Sequence, residues 1–289
     1  MAPGAAVVVS VTTTDGRKLK YRKLGHGPVL VCHPGGPGLS STYLGDLAGL
    51  WERFTLIMLN PRGTDGSDRP ADSDAYRLRD YVSDLEELRG HLGLEQMMLL
   101  GYSHGGYVAQ AYTSTYPSRV RRLVLLSTSA RFGPEQEAAT QAAKEKRSAQ
   151  PWYADAISAV IEDSELASMT DEQLREIFLR QMPLYFARFG PAEAGYVDTL
   201  RSETINADAL RIFGQELPTL DLRSRLALIT APTMVITGEE DFICGPICAD
   251  EICAGIPGAR KVIVGDAGHM IFVEQPQAFH DEVADFLGA

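Results

Sequence analysis

The chain has 289 residues, of which 45% are hydrophobic and 22% charged, a composition that excludes collagen-like and disulfide-rich chains. Its net charge of −11 argues against binding to nucleic acids or anionic membrane surfaces, and no apolar run reaches the roughly 18 residues that span a bilayer. The N-terminus lacks the pattern of a signal peptide, and the four cysteines contain no CxxC pair. We therefore expect a cytoplasmic protein with reduced thiols and no bound metal.

Strand and helix signals alternate along the first 130 residues. Short apolar or Val- and Thr-rich runs predict strands at 5–14, 17–24, 28–33, 54–60, 97–102 and 123–127. Apolar residues spaced by three and four predict helices at 75–92 and 104–116. Continuous apolar strands separated by helices are typical of a parallel sheet covered on both faces, so the pattern predicts an α/β fold.

The same alternation returns near the C-terminus, after a long helical block. Strands are predicted at 233–237 and 261–264, and helices at 246–254 and 276–287. From residue 131 to 225 the pattern is helical, and Thr170 with Gln173 has the spacing of a capping box that starts a helix. We expect a core domain made of 1–130 and 226–289, with 131–225 inserted as a helical cap.

A G-x-S-x-G motif occupies residues 101–105, directly after a predicted strand and at the start of a predicted helix. In that context it is typical of a nucleophile elbow, which exposes the serine on a tight turn. We therefore predict Ser103 as a nucleophile. The free N–H groups at the start of the helix favour an oxyanion, so the backbone of His104 is one predicted donor.

A serine hydroxyl needs a general base, and that base needs a carboxylate to orient it. In hydrolases with this elbow both follow the serine, the acid before the histidine. Asp241 lies just past a predicted strand, and His269 lies in the loop after the next one. We predict His269 as the base and Asp241, in preference to Glu239, Glu240 or Asp266, as the acid that orients it.

A glycine-rich loop, HPGGPG, spans residues 33–38 after the third predicted strand. Consecutive glycines let a backbone N–H approach a substrate carbonyl, so we predict Gly36 as the second oxyanion donor, with Gly35 as the alternative. The loop lacks the features of a P-loop and of a dinucleotide fingerprint. We expect no cofactor, and a small molecule or a short peptide as substrate.

With these motifs the chain resembles the α/β-hydrolases and, among them, the proline iminopeptidases (prolyl aminopeptidases). The resemblance covers nearly the whole length: the GGPG loop, the NPRGT segment at 60–64, the GYSHGG elbow, and the acid and histidine loops. It implies a mostly parallel sheet with helices on both faces, an inserted cap, and the triad and oxyanion donors already named. It also implies release of an N-terminal proline, or a similar small residue, through an acyl-enzyme.

The chain departs from that family in the residues that recognise substrate. Those peptidases hold the free amino terminus with acids in the cap or directly after the catalytic acid, whereas Asp241 is followed here by Phe242. The acids of the predicted cap include Glu162, Asp163, Glu193, Glu203 and Glu216. We retain Glu203 and Glu216 as candidate substrate contacts, together with Gly35, Phe242 and Trp152.

Two alternative functions stay open. The absence of an acid directly after Asp241 agrees with a carboxylesterase, thioesterase or lactone hydrolase that uses the same triad. The GGPG loop favours the peptidase instead. The other alternative is a ligand-binding member of the fold without hydrolytic activity, because fold does not determine function. Cys244 is expected near the mouth of the site, where it would make an enzyme sensitive to bulky thiol reagents.

Overall fold

A computed structural model describes residues 6–159 and 168–288, and one eight-stranded sheet lies at its centre. The strands are β1 Val7–Thr12, β2 Lys18–Gly25, β3 Val29–His33, β4 Thr55–Asn60, β5 Met97–Tyr102, β6 Val120–Leu126, β7 Thr233–Gly238 and β8 Arg260–Val264. Their order is β1-β2-β4-β3-β5-β6-β7-β8. The β1–β2 and β2–β4 pairs are antiparallel and the others are parallel, which confirms the mostly parallel sheet.

Helices separate the parallel strands. Those described are α1 Leu78–His91, α2 His104–Thr115, α3 Pro134–Glu145, α4 Tyr153–Ser158, α5 Asp171–Gln181, α6 Pro191–Thr199, α7 Ala207–Glu216, α8 Arg223–Leu226, α9 Pro246–Gly255, α10 Ile271–Glu274 and α11 Pro276–Leu287. The predicted capping box is confirmed at the start of α5, where the Thr170 hydroxyl accepts from the Gln173 N–H and the Gln173 side chain accepts from the Thr170 N–H. Within the described ranges, no helix is both long and apolar enough to cross a bilayer.

Side chains of the central strands alternate between two buried cores. Leu99 and Val235 belong to a core that includes residues of α1, α2 and α9. Their neighbours Leu100 and Ile236 belong to a second core, which includes residues of α11. Because successive side chains of a strand point to opposite faces, the sheet is covered by helices on both sides. This explains why β4, β5 and β7 are buried along their whole length.

The segment between β6 and β7 is helical over most of its described residues and contacts the glycine-rich loop after β3. An isolated bridge joins Leu39 to Ile205, and the Asn206 N–H donates to the carbonyl of Gly38 at 2.9 Å. These contacts place part of the segment beside the C-terminal ends of the parallel strands. The division into a core domain and a cap stays a prediction.

Candidate active site

Ser103 occupies the turn between β5 and α2. Its φ of +52° and ψ of −118° are unusual for a residue with a side chain and indicate backbone strain. Its N–H donates to the carbonyl of Leu126 at 2.9 Å, and its carbonyl accepts from the Thr128 hydroxyl at 2.7 Å. A Cβ at Gly105 would lie 2.3 Å from the His33 carbonyl oxygen, so only glycine lets α2 come so close to β3. The surrounding contacts therefore hold the strained turn in place.

Asp241 and His269 come together from two different loops. Asp241 follows β7 and His269 follows β8; both are buried, and 2.8 Å separates His269 Nδ1 from Asp241 Oδ2. The other carboxylate oxygen accepts from the N–H groups of Ile243 and Cys244, each at 2.9 Å. Burial acts to raise the pKa of Asp241, but His269 and the two N–H donors outweigh it and lower that pKa. The ionised acid favours a proton on Nδ1 of His269, which leaves Nε2 as an acceptor.

The rival acids lie away from this pair. Asp266 forms an exposed ion pair with Arg188 at 2.7 Å. Glu240 lies 4.0 Å from Lys146, and Glu239 is exposed to solvent. Of the four acids weighed from the sequence, the structure brings only Asp241 to the histidine.

The two predicted oxyanion donors lie beside Ser103 in the wall of the same cavity. Within the described residues, neither the Gly36 N–H nor the His104 N–H donates to a protein acceptor. His104 is the first residue of α2, where a backbone N–H has no partner inside the helix. The Gly35 N–H, by contrast, donates to the Tyr43 hydroxyl at 2.6 Å. The geometry thus favours Gly36 over Gly35 as a donor to a bound substrate.

Ser103 and His269 line one cavity of about 380 Å³. Much of its wall comes from the helical segment between β6 and β7, including Phe132, Leu174, Ile177, Phe178, Leu210 and Phe213. Among the described residues that line the cavity there is no aspartate or glutamate, and Lys144 is the only lysine or arginine. The cavity is suited to a substrate with an apolar body.

The two acidic residues retained as candidate substrate contacts form hydrogen bonds outside the cavity. Glu203 is buried and accepts a hydrogen bond from the Ser40 hydroxyl at 2.6 Å. Glu216 accepts from the N–H of Leu78 at 2.9 Å, at the start of α1. Neither side chain lines the cavity, so the structure does not bring them to Ser103.

Of the other residues considered from the sequence, some line the cavity and others do not. Phe242 lines the cavity, whereas Trp152 does not and packs against a neighbouring aromatic ring. Glu193 accepts from a backbone N–H at the start of α6. Glu162 and Asp163 lie outside the described residues.

A half-buried glutamate that the sequence did not single out, Glu274, supports the His269 loop. The Glu274 carboxylate accepts from the N–H groups of Gly268 and Ala187, at 2.6 and 2.7 Å. The His269 N–H donates to the carbonyl of Tyr185 at 2.7 Å. Burial raises the pKa of Glu274 to about 7, although the N–H donors act in the opposite direction. These bonds connect residues 185–187 to the histidine loop.

Arg147 connects α3 to the loop that carries Asp241, as Glu274 connects residues 185–187 to the loop that carries His269. Its guanidinium donates to the carbonyls of Glu240 at 2.6 Å, Ala143 at 2.8 Å and Phe186 at 3.3 Å. The side chain is buried and links the end of α3 to the residue before Asp241. No local motif distinguishes Arg147 or Glu274, since the partners that connect them to other segments, Glu240 and Ala187, lie 93 and 87 residues away in the sequence.

Cys244 lines the cavity and is buried. Its carbonyl accepts from the Thr237 hydroxyl at 2.6 Å. Burial raises the pKa of the thiol well above its ordinary value, with the charge of Asp241 acting in the same direction. The thiol therefore stays protonated at neutral pH and is a weak nucleophile.

Three comparisons place the chain among known proteins. The family described as alpha/beta hydrolase fold matches residues 28–276. A Bacillus subtilis protein named for 2-succinyl-6-hydroxy-2,4-cyclohexadiene-1-carboxylate synthase activity is 31% identical over 96% of this chain and 98% of its own. The proline iminopeptidase of Lactobacillus delbrueckii subsp. lactis is 29% identical over 90% of each chain. A hydrolase structure from Pseudomonas aeruginosa superimposes with a TM-score of 0.75 at 29% identity, covering 99% of this chain and 100% of the other.

Proposed function

The chain belongs to the alpha/beta hydrolase fold family, and on that premise we propose that it is a serine hydrolase with Ser103 as nucleophile. The observation that carries the proposal is the buried pair of His269 and Asp241, 2.8 Å apart, at the cavity that Ser103 also lines. A serine, a histidine and a carboxylate at one cavity are the groups that acyl transfer requires. The strained backbone of Ser103 supports the same assignment.

In the first half of the reaction, Ser103 Oγ attacks the substrate carbonyl carbon while Nε2 of His269 takes the hydroxyl proton. The tetrahedral oxyanion accepts hydrogen bonds from the N–H groups of Gly36 and His104. One such donor is typically worth about 3 kcal/mol in the transition state. The intermediate then expels the alcohol, which receives the proton from His269, and leaves an acyl group on Ser103.

In the second half, a water molecule replaces the alcohol. His269 takes a proton from the water as its oxygen attacks the acyl carbon, and the acid is released as Ser103 recovers its proton. Asp241 stays ionised throughout and stabilises the imidazolium that forms twice in each cycle.

The cavity favours esters of apolar carboxylic acids. Its wall is largely apolar, and burial of apolar substrate surface there contributes binding free energy. A peptidase that selects a free amino terminus needs an acceptor for the ammonium group. No carboxylate side chain lines the cavity among the described residues, and Glu203 and Glu216 are bonded elsewhere.

Release of an N-terminal proline is the second candidate. The GGPG loop and the similarity to the Lactobacillus proline iminopeptidase favour it. The two candidate functions use the same triad. They differ only in whether the cavity selects the apolar acyl group of an ester or the N-terminal proline of a peptide.

Side-by-side hydrolysis of 4-nitrophenyl butyrate, proline 4-nitroanilide and its N-acetyl form separates the candidates. We expect cleavage of the butyrate ester, with kcat reduced about a million-fold in Ser103→Ala because the nucleophile is lost. The exposed Ser118→Ala is the matched control and should keep full activity. Cleavage of the free-amine anilide alone would replace the esterase with the peptidase, and full activity in Ser103→Ala would overturn both.

A further inference from the structure

We propose that Lys144 is a specificity-determining residue that binds a carboxylate on the substrate, at the end of the acyl chain remote from the ester. The inference rests on the proposed esterase function and adds the substrate class: half-esters of dicarboxylic acids. Lys144 lies on α3, and its side chain lines the cavity that contains Ser103.

The first support is that Lys144 has no anionic partner among the described residues, although its Nζ lies over the Phe242 ring. Within the described residues, no carboxylate oxygen lies within 4.0 Å of its Nζ, and no hydrogen bond leaves that atom. Its neighbours on the chain differ: Lys146 pairs with Glu240, and Arg147 donates to three carbonyls. Burial lowers the pKa of Lys144, because the ammonium group loses water and no carboxylate of the described residues pairs with it. A substrate carboxylate would supply the missing charge.

The second support is a hydroxyl beside the ammonium group. Thr140 stands one helical turn before Lys144 on α3, and both side chains line the cavity. The Thr140 hydroxyl oxygen is buried and has no hydrogen-bond partner among the described residues. An unpartnered buried hydroxyl is costly, whereas a carboxylate can accept from it and from Lys144 together.

The third support is the separation between Lys144 and the reacting atoms. Its Nζ lies 6.0 Å from the centroid of the Phe242 ring. That ring packs against Tyr185 at 5.2 Å, and Tyr185 packs against His269 at 5.5 Å. A series of ring contacts through Phe242 and Tyr185 therefore connects the ammonium group with the histidine, along one side of the cavity that all four residues line. A ligand that reaches both ends has an anion, an apolar spacer and an ester, in that order.

The charge of the cavity selects a monoanion. With one lysine and no arginine in the described lining, a doubly charged phosphate would keep one charge unpaired in apolar surroundings, which is costly. The net charge of −11 repels anions at long range, so selection of an anion depends on the local pairing with Lys144.

The experiment compares pairs of esters that differ only in a terminal methyl or carboxylate. The half-esters are monoethyl adipate, pimelate and suberate, and the matched neutral esters are ethyl hexanoate, heptanoate and octanoate, all followed by proton release. We expect wild type to favour the half-ester of best length by about tenfold in kcat/KM, the size of a charge-assisted hydrogen bond. Lys144→Met should remove this preference and keep activity on the neutral ester, Lys144→Arg should keep the preference, and Lys146→Met is the matched control.

Two results overturn the inference: a neutral ester preferred at every length, or an unchanged preference in Lys144→Met. If no ester of either kind is hydrolysed, the proposed function fails, and binding to the Ser103→Ala variant then tests Lys144 by itself. Calorimetric titration should give a lower Kd for monoethyl suberate than for ethyl octanoate, and Lys144→Met in the same background should remove the difference. Equal Kd values in Ser103→Ala would overturn the inference as well.

Discussion

The cavity has two walls with different chemistry. The strand-end wall, formed by Gly36, Ser103 and His269, comes from loops at the ends of the parallel strands and carries the groups of the proposed reaction. The helical wall, represented by Phe178, comes from the segment between β6 and β7 and is mostly apolar, with Thr140, Lys144 and Gln181 among its polar side chains. The proposed reaction and the proposed selection of substrate are therefore assigned to different walls. Short hydrogen bonds hold the first wall in one geometry, whereas side-chain shape and one charge define the second.

After Ser103→Ala, the largest effect is expected on the strand-end wall, from Asp241→Asn. The amide keeps the shape of the acid but favours the wrong tautomer of His269, so kcat should fall by about ten thousand-fold with little change in KM. Steady-state kinetics on 4-nitrophenyl butyrate measure it. Asp266→Asn, a surface acid in the same region, is the control, and a fall of less than tenfold in Asp241→Asn would contradict the assigned role.

A change in the helical wall should act on binding instead. Phe178→Ala removes a ring that lines the cavity and packs edge-to-face against Tyr185 at 5.8 Å. Loss of that apolar contact should lower kcat/KM for ethyl octanoate about tenfold, mainly through KM. Leu179→Ala, next to it on α5 but outside the cavity lining, should leave KM unchanged. If kcat fell and KM did not, the proposed division between the walls would be wrong.

Glu274 connects residues 185–187 in the helical wall to the histidine loop in the strand-end wall. Its titration should make the stability of the protein depend on pH. Burial raises the pKa of Glu274 to about 7 from an ordinary 4.5, so the folded protein holds this proton more tightly than the unfolded chain. The resulting stability is fully present below pH 4.5 and is lost as the pH rises through 7. Relative to Glu274→Gln, the wild-type Tm should therefore fall by about 3 °C between pH 4.5 and pH 8.

Thermal unfolding followed by circular dichroism across that range measures the difference. The exposed Glu172→Gln serves as control and should show no such trend relative to wild type. If the difference in Tm between wild type and Glu274→Gln were constant from pH 4.5 to 8, Glu274 would not be the titrating group.

The smallest effect is expected from thiol modification. Cys244 lines the cavity, but burial raises its pKa, so its alkylation should be slow. Cys253 is less buried and should react first with iodoacetamide, with no loss of activity. Mass spectrometry of peptides, with Cys253→Ala as the matched variant, follows the order of labelling. Rapid labelling of Cys244 with parallel inactivation would instead support the sensitivity to thiol reagents expected from its position.

The features that depend on neighbouring residues could be predicted from the sequence alone. Apolar periodicity predicts the strands and helices, and the motif at 101–105 predicts the turn at Ser103 between β5 and α2, because strand, turn and helix are adjacent in the chain. The glycine-rich loop at 33–38 was recognisable for the same reason. Helix α5 began where Thr170 and Gln173 predicted it, since a capping box is satisfied within four residues.

Most contacts between distant groups could not be predicted from the sequence and emerge only from the folded chain. It brought Asp241, and none of its three rivals, to His269, and it directed Glu203 and Glu216 to Ser40 and Leu78 instead of the cavity. It also brought Lys144 to the same cavity as Ser103. The physical reason is that local propensity reports a residue's neighbours in the chain, whereas burial and pairing depend on contacts between residues far apart in sequence, from 28 residues for Asp241 and His269 to 163 for Ser40 and Glu203.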